Sequence, residues 1–258
     1  MYQPILTLSS GTELKGGSPG SAMKSLTLHT AVNAGQEFTI GSAFSDYIEA
    51  EIWADPGGSL QITAGDALTY YRQDDAGNRT KVGVFYAEKP TRTKRNSYKV
   101  TAYDTMSKLD ADFSSWLRAN QAQFPKTIWQ LVQLACQRAG VALASSSLPI
   151  NGSYSVQAFY ADDLTCRQII SWAAEAAGCY AHMNADGKLQ FLTYTDKRST
   201  AKITPDGASS TAYYADSLSY EDYTVKAIEK VQIRQSDSDV GVIYPDSTTA
   251  TNTYAVQG

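Results

Sequence analysis

Two histidines and three cysteines are the residues of this 258-residue chain best suited to act as bases, nucleophiles or metal ligands. His182 stands in a predicted strand, where a general base would need a nucleophile and an orienting carboxylate nearby. The sequence places neither beside it, so we predict no catalysis at His182. His29 falls in an alternating segment, and this pattern predicts an exposed strand residue.

The cysteines are Cys136, Cys166 and Cys179, and the chain has no C-x-x-C pair. An odd number on or beside predicted helices is typical of small buried apolar residues rather than of a disulfide framework. Cys166 and Cys179 lack the cationic neighbours that favour a thiolate. We therefore predict no reactive cysteine, no metal site, no cofactor and no enzymatic activity.

The acidic stretch from Asp74 to Asn78 carries oxygen groups of the kind that bind calcium. It lacks the alternating ligands and the distal glutamate of an EF-hand loop. Asp, Gly and Asn are also the residues that tight turns use. The stretch therefore predicts a hairpin turn.

A basic run extends from Lys89 to Lys99 and includes Arg92, Lys94 and Arg95. One interpretation is a solvated hairpin loop, since short basic runs are commonly exposed to water. The other is an assembly contact with an acidic stretch of a second copy, for example Asp216 to Asp222. Both interpretations remain open at the level of sequence.

Two stretches, 127–141 and 165–179, match each other in sequence pattern and predict two similarly built helices. Thr127 and Thr165 stand where an N-cap belongs, and apolar residues follow at helical spacing. Gly140 and Gly178 stand where each helix must end. Because strand patterns surround them, the pair indicates a small α/β module.

Three further elements are predicted around the paired helices. Apolar residues at helical spacing predict a helix over Lys108 to Gln121, stopped by Phe124-Pro125. Alternation predicts a short strand from Tyr154 to Tyr160. Asn184-Ala-Asp-Gly187 predicts the turn of a β-hairpin over 180–194.

Strand patterns fill the chain on both sides of this module. Residues 1–107 contain five or more short strands with Gly-rich turns, which predict a barrel or a sandwich. One of them, Tyr47 to Trp53, places Ile48, Ala50 and Ile52 on a single buried face. Alternation returns at 227–234, within a segment that holds about three candidate strands.

Composition excludes several classes of protein. Twenty-two basic and 26 acidic residues give a net charge of −4, which argues against binding that depends on neutralising nucleic-acid phosphates. No stretch approaches the roughly 20 apolar residues that cross a bilayer, and the N-terminus lacks the pattern of a signal peptide. We expect a soluble protein made in the cytoplasm, without membrane insertion or a specific nucleic-acid partner.

The order of these features resembles a known family. The residues that carry the resemblance are Phe38-Thr-Ile-Gly-Ser42, Gly65-Asp66, Gly83-Val-Phe85, Thr101-Ala-Tyr-Asp-Thr-Met106, Pro125-Lys-Thr127, Ala139-Gly140, Thr165-Cys-Arg-Gln168, Gly178 and Asp186-Gly-Lys-Leu189. Together they look like the N-terminal part of phage tail hub proteins. This group includes baseplate hubs and tail-associated lysins encoded by prophages.

The resemblance implies an α+β fold, in which two tail-tube-like β-barrels flank an inserted α/β domain. It implies a first barrel at 1–107, the α/β domain at 108–196, and an incomplete second barrel at 197–258. It also implies a homotrimer in the virion tail. The implied partners are the tail tube or distal tail protein, the tape-measure protein, and tip or spike proteins.

The expected function is therefore structural: a hub ring that joins a phage or prophage tail tube to its baseplate or tip. A first alternative is a positioning platform for a tail-associated peptidoglycan hydrolase whose catalytic domain lies outside this chain. A second alternative is a β-rich surface adhesin or carbohydrate-binding module. The 17 tyrosines fit the second alternative, although tyrosine is also a favoured strand residue.

Overall fold

The computed structural model describes residues 2–17, 20–33, 39–54 and 62–194, and the strand residues 204–205, 212–213, 230–234, 242–244 and 253–257. The chain divides into two compact units, Met1–Asp196 and Lys197–Gly258. Their described elements combine helices with mainly antiparallel strands. The fold is therefore a mixed α+β fold, as predicted.

An antiparallel eight-stranded sheet forms the first part of unit one. Its strands are β1 (Gln3–Leu8), β2 (Glu13–Lys15), β3 (Met23–His29), β4 (Tyr47–Trp53), β5 (Ala67–Gln73), β6 (Arg79–Ala87), β7 (Thr91–Lys94) and β8 (Ser97–Asp104). The strand order is β2-β1-β5-β6-β8-β4-β3, with β7 beside β8. Every pair of neighbouring strands in this order is antiparallel. Short turns therefore link β1 to β2 and β5 to β6, whereas the longer segment 30–46 links β3 to β4.

Strand β4 shows how the sequence pattern builds this sheet. Ile48, Ala50 and Ile52 point into the core and are almost fully buried. Glu49 and Glu51 point the other way and pair with lysines on the two neighbouring strands. The predicted strand and its buried face are confirmed, because successive side chains alternate between the two faces of a sheet.

The sheet curls around a single apolar core to which β1, β3, β4, β5, β6 and β8 all contribute. The curl brings Gly16, just after β2, against Met23 at the start of β3. In the described residues no backbone ladder joins these two end strands, so the sheet is open rather than the closed barrel that the family resemblance implied. With only three residues, β2 offers little length for such a ladder.

The helical module follows directly after β8. Its elements are a 3₁₀ helix (Thr105–Asp110), α1 (Ser114–Ala119), a second 3₁₀ helix (Gln121–Gln123), β9 (Lys126–Thr127), α2 (Ile128–Ala139), β10 (Ser155–Val156), α3 (Cys166–Ala176), β11 (Cys179–Met183) and β12 (Leu189–Thr193). The predicted strand from Tyr154 to Tyr160 is limited to β10.

The prediction of one helix from Lys108 to Gln121 is wrong. The chain between the 3₁₀ helix and α1 pairs with the residues just before α3 instead of continuing the helix. Phe113 donates its backbone N–H to the carbonyl of Leu164, and Cys166 donates to the carbonyl of Ala111. The Asp112 carboxylate then accepts N–H groups at the start of α1, which begins a new helix there.

Helices α2 and α3 begin in the same way. Thr127 and Thr165 are their N-caps, and each forms a capping box with the glutamine three residues later. At the other ends, Gly140 and Gly178 adopt left-handed backbone, with φ values of 65° and 60°. Gly140 is the C-cap of α2, whereas Ala177 is the C-cap of α3 and Gly178 follows it.

A second apolar core lies within the helical module. Helix α2 contributes Leu131, Val132, Ala135 and Cys136, and α3 contributes Cys166, Ile169, Ile170, Ala173 and Ala174. The hairpin of β11 and β12 adds further buried residues, including Leu189. The two short helices and the hairpin therefore bury their apolar faces together, as one small module.

Unit two contains two small sheets among its described strands. Strands β13 (Thr204–Pro205) and β14 (Ala212–Tyr213) pair in parallel. Strand β15 (Lys230–Arg234) lies between the antiparallel β16 (Val242–Tyr244) and the parallel β17 (Thr253–Gln257). The strand predicted at 227–234 is thus described from Lys230 onward, and its first three residues lie outside the described part of the chain.

Candidate functional site

The contacts that join the sheet to the helical module form the most chemically distinctive region of unit one. We call this region the junction; it comprises loop 39–46 before β4, the end of β8, and strand β11. Gly41 donates its N–H to the carbonyl of Cys179, and Ala181 donates to the carbonyl of Ser42, at 3.0 and 2.8 Å. The loop therefore lies along β11 and extends the hairpin of the helical module.

Gly41 permits this close approach. A Cβ atom at this position would lie 2.5 Å from Cβ of Glu175 and 2.8 Å from the carbonyl oxygen of Ser171, both on α3. The Ser171 hydroxyl donates a hydrogen bond of 2.6 Å to the Gly41 carbonyl. With φ at +85°, the residue also occupies backbone space that favours glycine.

A buried polar cluster lies beside this contact. Nε2 of His182 lies 3.1 Å from Oδ2 of Asp46, and the two side chains are 27% and 13% exposed. The Thr30 hydroxyl donates to the same carboxylate oxygen at 2.9 Å. The other oxygen of Asp46 is buried and has no hydrogen-bond partner. His182 thus links the helical module to a carboxylate of the sheet.

Asp104, at the end of β8, is the second carboxylate of the cluster. It accepts the Ser45 hydroxyl at 2.7 Å and the Met106 N–H at 3.0 Å, and its backbone N–H donates to the Asp46 carbonyl. Burial raises its pKa to about 6, and the nearby charge of Asp46 adds to the rise. Hydrogen bonding to Asp46 raises the pKa of His182.

The hydrogen bonds of this cluster differ from those that activate a nucleophilic serine. The Ser45 hydroxyl donates to Asp104, whereas His182 faces Asp46. A nucleophilic serine would instead donate its proton to the imidazole. Sequence reasoning singled out His182 but missed Ser45, Asp46 and Asp104, since only the pairing of β4 with β8 brings the two carboxylates together.

The tip of the predicted hairpin makes a second contact with the sheet. Gly187 has a φ of 72°, and a Cβ there would lie 2.6 Å from Oγ1 of Thr105. The adjacent Asp186 forms an ion pair of 2.7 Å with Lys81 of β6. The turn residue Gly187 therefore also permits a close contact between the hairpin and the start of the helical module.

The basic residues Arg92, Lys94 and Arg95 lie on and just after β7, and all three are exposed. The Arg92 side chain donates to the carbonyl of Arg95 and lies over the ring of Tyr98. Arg92 is thus partly engaged within its own hairpin. The acidic stretch 216–222, predicted as a partner in another copy, lies outside the described residues.

The remaining candidates for chemistry have structural roles in the described residues. Burial raises the pKa of the Cys136 thiol to about 12 and that of Cys179 to about 11, and the pKa of Cys166 is also raised. Such thiols are poor nucleophiles. Asp74 accepts the N–H of Asn78 in a hairpin turn, and His29 stacks on Tyr47.

The described part of the chain contains neither a metal-binding cluster nor a membrane-spanning helix. There, no group of three or more histidine, cysteine or acidic residues is placed to hold a metal ion. No described helix has the length and apolar character needed to span a membrane.

No protein-family model and no curated protein matches this chain. Solved structures do match it. The 43 kDa tail protein of prophage MuSo2 from Shewanella oneidensis has a TM-score of 0.56 and 13% identity, over 99% of this chain and 72% of its own. The tail protein from Neisseria meningitidis MC58 has a TM-score of 0.57 and 11% identity, over 100% of this chain and 71% of its own. Prophage tail protein gp18 from Listeria monocytogenes EGD-e has a TM-score of 0.48 and 9% identity, over 99% of this chain and 72% of its own.

The first two comparisons show that this chain has the fold of phage tail proteins. At 11% and 13% identity they concern the fold alone, because one fold can serve several functions.

We expect Gly41→Ala to destabilise unit one strongly. The added Cβ would overlap α3 and would also force alanine into left-handed backbone, so the loss should be roughly 2–4 kcal/mol. Gly11→Ala is the matched control, because Gly11 has the same φ of +85° with open space around its Cβ position, and it should lose only about 1 kcal/mol. Urea unfolding of both variants checks this; equal losses would contradict the packing argument.

We expect Asp104→Asn to stabilise the protein at neutral pH. Burial raises the pKa of Asp104 from its ordinary 3.8 to about 6, so the protein loses stability as the pH rises through that interval. Above pH 6 the penalty is about 2–3 kcal/mol. Asparagine keeps an oxygen for Ser45 and Met106 without the charge, so the variant should lack this loss.

Thermal unfolding of Asp104→Asn between about pH 4 and pH 8 provides the measurement. Asp112→Asn is the control, because hydrogen bonds from Ser115 and Ser114 lower the pKa of Asp112, so its variant should lose stability at neutral pH. A wild-type pH profile retained by Asp104→Asn would show that the buried carboxyl does not set the pH dependence.

Proposed function

We propose that this chain is a structural component of a phage or prophage tail, forming a hub ring that joins the tail tube to the baseplate or tip. The observation that carries the proposal is the match in fold to two tail proteins over 99% and 100% of the chain. The compared region therefore covers almost the whole chain. A role in the tail explains a match over the whole chain more simply than a fold shared by a single domain would.

In the proposed ring, three copies assemble around the tail axis. Each copy supplies two tail-tube-like β-segments, at 1–107 and 197–258, on either side of the α/β segment 108–196. Three copies with two segments each give six positions, which would match a six-fold tube to a three-fold tip. Supporting this arrangement, the first segment forms a curled sheet around its own core, and unit two also contains sheets.

The proposed partners are the tail tube or distal tail protein, the tape-measure protein, and tip or spike proteins. The proposed location is the virion tail. We also propose that the chain is not an enzyme and binds no specific nucleic acid. The paired contacts of Ser45 with Asp104 and of His182 with Asp46 support the first point, and the net charge of −4 supports the second.

Immunogold electron microscopy tests the role directly. Antibodies raised against this polypeptide would label tails in an induced lysate of the source strain. Gold confined to the distal tip of the tail tube would support the hub. Gold on the bacterial envelope beside unlabelled tails would overturn it in favour of the adhesin alternative. Gold at the tip together with clearing of peptidoglycan by the purified chain would contradict a purely structural role.

The exposed basic hairpin is the proposed assembly contact. We expect simultaneous charge reversal at Arg92, Lys94 and Arg95 to weaken self-association, most strongly at low salt, because rim charges act mainly through screened electrostatics. Light scattering coupled to gel filtration at about 0.05 and 0.5 M salt would measure it.

A control with the same change in net charge reverses Arg118, Lys126 and Lys188 in the helical module. Arg118 pairs with an exposed aspartate, a contact that contributes little to stability. If both triple variants associate like the wild type, or if the control dissociates equally, the hairpin is not a specific assembly contact.

A further inference from the structure

The pair of Asp46 and His182 joins the sheet to the helical module through one titratable contact. The two residues are 136 positions apart in sequence. One oxygen of Asp46 receives both His182 and the Thr30 hydroxyl, while the other is buried and has no partner. A buried carboxylate with an unsatisfied oxygen depends on its remaining contacts, and for Asp46 these are Thr30 and His182.

Two carboxylates, those of Asp46 and Asp104, act on His182 and favour its protonated form. Asp104 adds a second carboxylate, at the point where β8 ends. Within the described residues, the hydrogen bonds and ion pairs of these two aspartates involve no lysine or arginine. The charged or polar groups on the other neighbouring elements are Gln190 opposite His182 on β12, Glu175 against Gly41 on α3, and Lys108, which lies over the ring of Tyr86.

We propose that Asp46 and His182 form a proton-operated latch, which holds loop 39–46 against β11 while the imidazole is protonated and loosens when it is neutral. The protonated ring makes a charge-assisted hydrogen bond to the carboxylate, about twice as strong as a neutral one. The neutral ring leaves two buried carboxylates close together without a counter-charge, an arrangement that low-dielectric surroundings make unfavourable.

The direction of the pH effect follows from the two groups. Hydrogen bonding to Asp46 raises the pKa of His182 above 6.5, so the stabilisation is complete below that value and is lost as pH rises through the folded pKa. The pKa of Asp104 is about 6, so its negative charge accumulates above that pH. Both changes act in the same direction, and the latch weakens as the medium becomes neutral and then alkaline.

Hydrogen exchange of the full chain measures how well the backbone N–H groups at the junction are protected, and it requires no partner protein. The N–H groups of Gly41 and Ala181 form the backbone bonds that cross the junction, and those of Asn184 and Gly187 close the hairpin turn within the module. Between about pH 5.5 and 8.5, after correction for intrinsic exchange, protection at Gly41 and Ala181 should fall roughly fivefold, the factor by which a charge-assisted hydrogen bond exceeds a neutral one. Protection at Asn184 and Gly187 should stay constant.

Two variants and one control complete the test. His182→Gln keeps a neutral donor, and Asp46→Asn removes the charge of the acceptor. Both should therefore reduce the pH dependence at Gly41 and Ala181 to the part that Asp104 supplies around pH 6. His29→Gln removes the other histidine of the chain, which stacks on Tyr47 of β4, and should retain the wild-type dependence.

Three results would overturn the latch. They are pH-independent protection at Gly41 and Ala181 in the wild type, an equal fall at Asn184 and Gly187, and retention of the full wild-type pH dependence in both His182→Gln and Asp46→Asn. The outcome is independent of the proposed tail function, because it concerns only contacts within one chain.

Discussion

The close approach of loop 39–46 to helix α3 is the constraint on which unit one depends. The sheet and the helical module have separate apolar cores, so something other than a shared core must hold them in register. Gly41 removes the side chain that would collide with α3, and the backbone of the loop then pairs with β11. Because backbone hydrogen bonds require short, directional contacts, this pairing fixes the position of one layer on the other.

The polar cluster beside Gly41 follows from the same geometry. Ser45, Asp46 and Asp104 are buried between elements that each end at the junction, and a buried carboxyl is stable only when it is hydrogen-bonded, paired or neutral. Asp104 meets this requirement through Ser45, Met106 and a raised pKa of about 6. Buried ionic groups often contribute less stability than apolar residues of equal size. The buried polar groups of the junction therefore lower its stability, and they make that stability depend on pH.

The fold shared with tail proteins survives at 11% and 13% identity because it rests on features that many sequences can satisfy. Alternating apolar residues build the sheet, and threonine N-caps with apolar stripes build the paired helices. None of these features requires a particular residue outside a few turns and caps. The fold can therefore persist while most of the sequence changes.

The sequence alone determined what depends on residues a few positions apart: helices α2 and α3, their threonine caps, the turn at Gly187, and the buried face of β4. These follow from local hydrogen bonds and side-chain periodicity. Tertiary structure decided the rest. The helix expected over 108–121 is broken because its middle pairs with the residues before α3, and the sheet stays open where β2 meets β3. The junction brings together residues 136 positions apart, and no local pattern encodes such a contact, because it exists only after two independently patterned layers have packed.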